Sequence, residues 1–188
     1  MATGIQVQKD LDKIIAELAH TTPAVDANDI DALLQAIQSA KRLFFAGAGR
    51  TGLALKMAAM RFMHLGYEVY VVGETTTPAI LADDLLILGS GSGSTSTLVT
   101  AAEKAKKQTA SLAVLTAAGD STLASLADVT VRIPAAVKTD FGVSVSQQYA
   151  GSLFEQAVLL VLDGVFMALW QELGLTKEDL WPKHANLE

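Results

Sequence analysis

Five short runs constrain this chain more than any other feature: RLFFAGA (42–48), YEVYVVG (67–73), DDLLILG (83–89), SLAVLTA (111–117) and VTVRIP (129–134). A strand wetted on one face alternates apolar with polar residues, whereas a strand covered on both faces reads as a nearly continuous apolar run. Between the runs lie segments of helical period, TGLALKMAAMRFMHLG (51–66), STLVTAAEKAKK (96–107) and STLASLA (121–127). Buried strands alternating with helices predict an α/β three-layer sandwich, a five-stranded, mostly parallel sheet with helices on both faces. Helical spacing at Ile14, Ile15 and Leu18, and at Ile30, Leu33, Leu34 and Ile37, adds two helices over 5–20 and 26–40, the second capped by Asp26 or Asn28.

The organisation expected is a single domain over 1–188. Residues 1–40 form N-terminal helices and 41–134 the alternating core; after a loop without periodicity at 135–148, residues 149–188 form C-terminal helices and a tail. A chain of 188 residues with 51% hydrophobic and 18% charged residues buries one sizeable core. Its net charge of −6 argues against nucleic acid or an anionic membrane surface as the main partner, while leaving room for a small anion in a local pocket.

The opening residues, MATGIQVQKDLDKII, bring acidic side chains early and no continuous apolar run, so neither a signal nor a transit peptide is expected. With no cysteine, thiolate chemistry and disulfides are excluded, and a cytoplasmic location is expected. SLFEQAVLLVLDGVFMALW (152–170) is nearly long enough to span a bilayer. Glu155, Gln156 and Asp163 interrupt it, and a buried helix is the better reading.

The third apolar run leads into Ser90-Gly91-Ser92-Gly93-Ser94-Thr95-Ser96-Thr97 and then a helix. Glycines 91 and 93 let the backbone approach a ligand and turn N–H groups toward it, while Ser90, Ser92, Ser94, Thr95 and Thr97 supply hydroxyls, which suits a phosphate monoester. No lysine follows the last glycine, so this is not a triphosphate loop. Its place between a buried strand and a helix weighs against a flexible linker. The first run ends in GAGRTG (47–52), a match to the dinucleotide fingerprint, and Glu74 follows the second run where a ribose-binding acid would fall. A dinucleotide site therefore stays open, although the chain lacks a separate domain for a hydride donor or acceptor. Arg50 within that loop can pair with a substrate oxyanion.

Candidates for proton transfer are few. Glu155 falls in the first turn of the long apolar helix, in a place for a base, but Ser152 three residues earlier also makes the spacing of a capping box. His64 ends the helix that begins near Arg50, where a cation complements the helix dipole before Gly66. His20 has no motif around it, and His184 lies in the tail WPKHANLE. Three histidines without paired spacing suggest no metal site.

FFAGAGRTGLALKMAAMRFMHLG (44–66), ILGSGSGST (87–95), GSLFEQAVLLVLD (151–163) and KHANLE (183–188) together resemble the 6-phospho-3-hexuloisomerases of the sugar isomerase (SIS) domain family. Only QQYAG (147–151) departs, where a proline and a methionine are expected near Tyr149 and Ala150. The resemblance implies a flavodoxin-like sandwich and conversion of D-arabino-3-hexulose 6-phosphate to D-fructose 6-phosphate through an enediol, a step of formaldehyde fixation in the ribulose monophosphate pathway. It further implies a phosphosugar as small-molecule partner, no cofactor, no metal and a homotetramer. On that resemblance Glu155 is the base, His64 the acid or oxygen-proton shuttle, and Arg50 the group that steadies the enediolate. Ser90, Ser92, Ser94 and Thr95 anchor the phosphate, Gly47 and Gly49 admit the substrate close to the first loop, and His184 and Asn186 reach a neighbouring subunit's site. Isomerases of arabinose 5-phosphate or sedoheptulose 7-phosphate and sugar-phosphate sensors share such a fold, and stand as alternatives.

Overall fold

The structure is a computed structural model and describes every residue except 141, 143, 144 and 188. Two helices lead, α1 (Gly4–Thr21) and α2 (Ala27–Ser39). Asp26 caps α2 by accepting from the Asn28 N–H at 2.8 Å. The alternating core follows as β1 (Leu43–Gly47), α3 (Gly49–Leu65), β2 (Val69–Val71), β3 (Leu85–Gly89), α4 (Ser96–Lys107), β4 (Ser111–Thr116), α5 (Thr122–Leu126) and β5 (Val129–Arg132). After the stretch that includes 135–148, of which 141, 143 and 144 lie outside the described residues, come α6 (Ser152–Leu173) and the short α7 (Lys177–Leu180).

The five strands form one sheet in the order β2-β1-β3-β4-β5, and every pairing is parallel. The expected "mostly parallel" sheet is thus wholly parallel, as runs buried on both faces require. β2 is shorter than its apolar run suggests because it lies at the edge, where only β1 pairs with it. Alternate residues of the central strands feed two cores. Leu43, Phe45, Leu85, Ile87, Ala113 and Leu115 face α2, α3 and α6. Phe44, Ala46, Leu86, Leu88, Leu112 and Val114 face α4 and α5.

The long apolar helix is a core element: Leu153, Phe154, Ala157, Val158, Leu162, Val165 and Leu169 of α6 are buried, and it packs along α3. The capping box expected at its start does not form. Gly151 is the N-cap, and the Ser152 hydroxyl donates to the Tyr149 carbonyl at 2.8 Å, so Glu155 is released from a capping duty.

Candidate active site

β1 and β3 are neighbours whose last residues, Gly47 and Gly89, lie in register, yet the chain leaves them toward opposite faces, α3 joining one core and α4 the other. Such a divergence opens a crevice at the carboxyl edge of a parallel sheet. The sequence at both exits is shaped for close approach. A Cβ on Gly47 would sit 2.9 Å from the Gly52 backbone, and one on Gly52 would sit 2.6 Å from the Gly47 carbonyl oxygen, so strand and helix meet where only glycines fit. Gly93 has a φ of +59°, and a Cβ there would collide with Ser121.

The resulting cleft has a volume of about 260 Å³ and takes its walls from three places in the chain. The β1–α3 turn contributes Gly49, Arg50 and Thr51; the β3–α4 turn contributes Ser90, Gly91, Ser92 and Thr95; the approach to α6 contributes Lys138, Phe154 and Glu155. Ser90 is buried and its Oγ lies 3.1 Å from Thr95 Oγ1. Thr95 stands at the N-cap of α4 with no side-chain bond to the helix; its carbonyl accepts from the Leu98 N–H at 3.0 Å, which leaves the Ser96 and Thr97 N–H groups to an anion. Phe154 forms the floor, 3.3 Å from where a Cβ on Gly91 would be.

Arg50 Nε lies 2.8 Å from Glu155 Oε2, with the arginine side chain 65% exposed and the glutamate 21%. The contact is an ion pair, and it leaves Oε2 buried beneath the guanidinium. A carboxylate lining a hydroxyl-walled cleft, with a guanidinium against it, is equipped to take a proton and to have the charge developing on substrate neutralised nearby.

Of the expected site residues, Gly49, Arg50, Ser90, Ser92, Thr95 and Glu155 come together here. Gly47 lies behind the first turn, and Ser94 is exposed, donating to Ser92 Oγ at 3.2 Å, so both support the wall without lining it. His64 and His184 are elsewhere, at the far end of α3. There His64 is 4% exposed and stacks on His184 with ring centroids 4.1 Å apart, and Trp181 stacks on His184 in turn. Burial above all, then the neighbouring His184, Arg61 and Lys183, hold the His64 imidazole below the ordinary histidine range, and its Nδ1 has no partner among the described residues.

Lys138, Thr51 and Phe154 were not anticipated. Lys138 sits in the one stretch without periodicity, and Phe154 reads as one more apolar position of its helix. Glu74, the candidate ribose-binding acid, pairs on the surface with Lys56 at 2.6 Å and is not among the cleft residues. A cleft of about 260 Å³ suits one small metabolite better than a dinucleotide. No cluster of three or more metal-ligating side chains occurs among the described residues.

Comparison with known proteins agrees with this architecture. The SIS domain model matches residues 36–160. A 3-hexulose-6-phosphate isomerase of Mycobacterium gastri is 51% identical over 98% of this chain and 93% of its own, and one of Bacillus subtilis is 40% identical over 94% and 96%. A crystal structure from Methanococcus jannaschii, for which the function of 3-hexulose-6-phosphate isomerase has been inferred, superposes with a TM-score of 0.82 at 33% identity, covering 96% of this chain and 99% of that one. With a cleft at the β1/β3 divergence, a hydroxyl loop beneath a helix N-terminus and near full-length likeness to these proteins, the chain belongs to the SIS domain family, among its 3-hexulose-6-phosphate isomerases.

Proposed function

We propose that this protein converts D-arabino-3-hexulose 6-phosphate to D-fructose 6-phosphate. The observation that supports the reading best is the Glu155 carboxylate at the wall of the cleft, charge-paired with Arg50 and lining the same cleft as the Ser90–Thr95 loop. The phosphate is received by the Ser90, Ser92 and Thr95 hydroxyls and the Ser96 and Thr97 N–H groups that open α4, with Lys138 as a further cation. Anchoring the remote phosphate holds the sugar in reactive geometry.

Glu155 then removes the C2 proton, the electron pair of that bond forms the C2=C3 double bond of an enediolate, and charge gathers on O3 next to Arg50. Return of the proton from Glu155 to C3 and transfer of the O2 proton to O3 complete the ketone at C2 and the hydroxyl at C3. A group that shuttles the oxygen proton is still required, and His64 serves in that role from a second copy of the chain, as does the tail with His184. Within one chain, Arg50 and His64 are fourteen residues apart on α3, about 21 Å at ~1.5 Å per residue.

The protein accordingly acts as a homo-oligomer in the cytoplasm. Leu53, Met57 and Met60 make an exposed apolar stripe along α3, 61%, 51% and 50% exposed, of the kind that a second copy covers.

The test is incubation of purified protein with the hexulose phosphate in deuterated water while fructose 6-phosphate is followed by NMR. Conversion with deuterium at the product's C3 is expected. Binding of fructose 6-phosphate without conversion would overturn the reading in favour of a sensor or an isomerase of another phosphosugar.

A further inference from the structure

We propose that Glu17, on the first helix, is a positioning residue for proton transfer, latching the segment before α6 so that Glu155 is held against the cleft. The inference rests on Glu155 being the base in the isomerisation above.

The geometry is a continuous run of hydrogen bonds. The half-buried Glu17 carboxylate accepts from Ser146 Oγ at 2.7 Å, from the Gln147 N–H at 2.7 Å and from Gln148 Nε2 at 2.9 Å. Ser146 is itself buried, and its Oγ accepts from the Gln148 N–H at 3.0 Å. Directly after this latch the chain turns through Ala150, a non-glycine residue at φ +53°. The turn is tied to the helix by Ser152, whose N–H and Oγ both donate to the Tyr149 carbonyl, at 3.2 and 2.8 Å. Gly151 then accepts from the Glu155 N–H at 3.0 Å. The α6 N-terminus thus has no side-chain cap of its own, and its approach is set from outside by a residue of α1.

A left-handed alanine persists only where its surroundings over-determine it, and the Glu17 latch supplies that constraint. Burial raises the Glu17 carboxyl, but its three donors outweigh this and leave it below the ordinary carboxylate range, so the latch is charged at neutral pH. The phosphate loop is secured separately. The Ser90 N–H donates to the Leu115 carbonyl at 3.0 Å, and Thr116 Oγ1 donates to the Gly91 carbonyl at 3.3 Å, with no part taken by Glu17. Loss of the latch should therefore displace the base and spare the anchor.

The experiment compares kcat and KM for the hexulose phosphate in the full chain, in Glu17→Ala, Glu17→Gln and Ser146→Ala, and in Glu155→Gln as control. Displacing a catalytic group by a fraction of an ångström to one ångström costs roughly 10- to 100-fold in turnover. Glu17→Ala should lower kcat by about that factor with KM within about twofold, and Glu17→Gln, which keeps one acceptor oxygen, should fall between. Ser146→Ala should cost several-fold in the wild type and almost nothing further once Glu17 is alanine. Hydrogen exchange should quicken at the Gln147 amide while the central strands keep their protection.

Wild-type kcat in Glu17→Ala, a loss confined to KM, or independent multiplication of the two losses would each overturn the latch. Should the wild-type chain itself fail to isomerise, the isomerase reading falls, and the positioning role with it. Wild-type turnover abolished by Glu155→Gln yet untouched by Glu17→Ala fails the latch alone.

Discussion

The two ends of α3 present their ionisable groups in opposite conditions. At the N-terminal end Arg50 is largely exposed and meets Glu155 across a cleft lined with hydroxyls. At the C-terminal end His64 is buried under His184 among cationic neighbours, on a surface where Arg61 and Lys183 lower its appetite for a proton. One end lines the cleft where proton transfer is proposed, while the other holds an imidazole below its ordinary range. About 21 Å of helix separates them, which no side chain spans. On the proposed mechanism, a single helix carries two parts of one reaction by serving two sites, its own and a neighbour's.

The largest effect expected from breaking this contrast is at Glu155. Glu155→Gln should lower kcat by about 10²- to 10⁴-fold with KM and melting temperature near those of the wild type, since an amide keeps the shape and cannot accept the proton. A destabilised variant with normal turnover would return Glu155 to a structural role.

The next prediction joins the two ends. If sites are shared between copies, Glu155→Gln and His64→Gln chains, each inactive alone, should regain about a quarter of wild-type activity when unfolded together and reassembled, because a symmetric interface draws one group from each partner at random. Recovery no greater than the sum of the parents would place both groups in one chain's site, or His64 in none.

A smaller effect is expected from Arg50→Ala. The arginine of this pair is largely exposed and the carboxylate it covers can rehydrate in the open cleft, so thermal stability should change little. Turnover should nevertheless fall by roughly 10- to 100-fold as the charge on O3 loses its counterpart. Equal losses in stability and rate would mark the pair as structural.

The smallest effect concerns pH. His64 is held below its ordinary 6.5, so the unfolded chain binds more protons than the folded one as pH drops below that value, and stability falls with it. His64→Gln should flatten the dependence of melting temperature between pH 8 and 5.5 by a few degrees. An unchanged slope would show that the burial of His64 has no energetic consequence.

Much of this was legible from residue order alone. Continuous apolar runs imply strands covered on both faces, and Gly47, Gly49 and Gly93 mark places where the backbone must come close or turn left-handed. The serine loop was readable because hydroxyls and glycines fell between a buried strand and a helix. Lys138 was not, since it stands in a stretch whose path is set by contacts far away in sequence. The capping box at Ser152 was suggested by spacing, and lost to the Tyr149 carbonyl, which claimed the hydroxyl. The separation of His64 from Arg50 was readable as the length of the α3 pattern, whereas the return of α6 that sets Glu155 beside Arg50 is invisible in sequence.

The way α6 returns to lie on α3 has a consequence for the order in which a growing chain becomes competent. The hydroxyl loop at 89–95 is braced by β4 and α5, so its own scaffold is in place once about two-thirds of the chain has emerged, while Lys138 and the Phe154 floor follow later. Glu155 comes later, and the segment that steers it is gripped by Glu17, a residue made 129 positions before Ser146. Contacts so distant in sequence form late, after the local ones have paid for closing the intervening loop. On the proposed mechanism the hydroxyl loop is therefore in place before the base, and turnover would report that the first helix and the last long one have met.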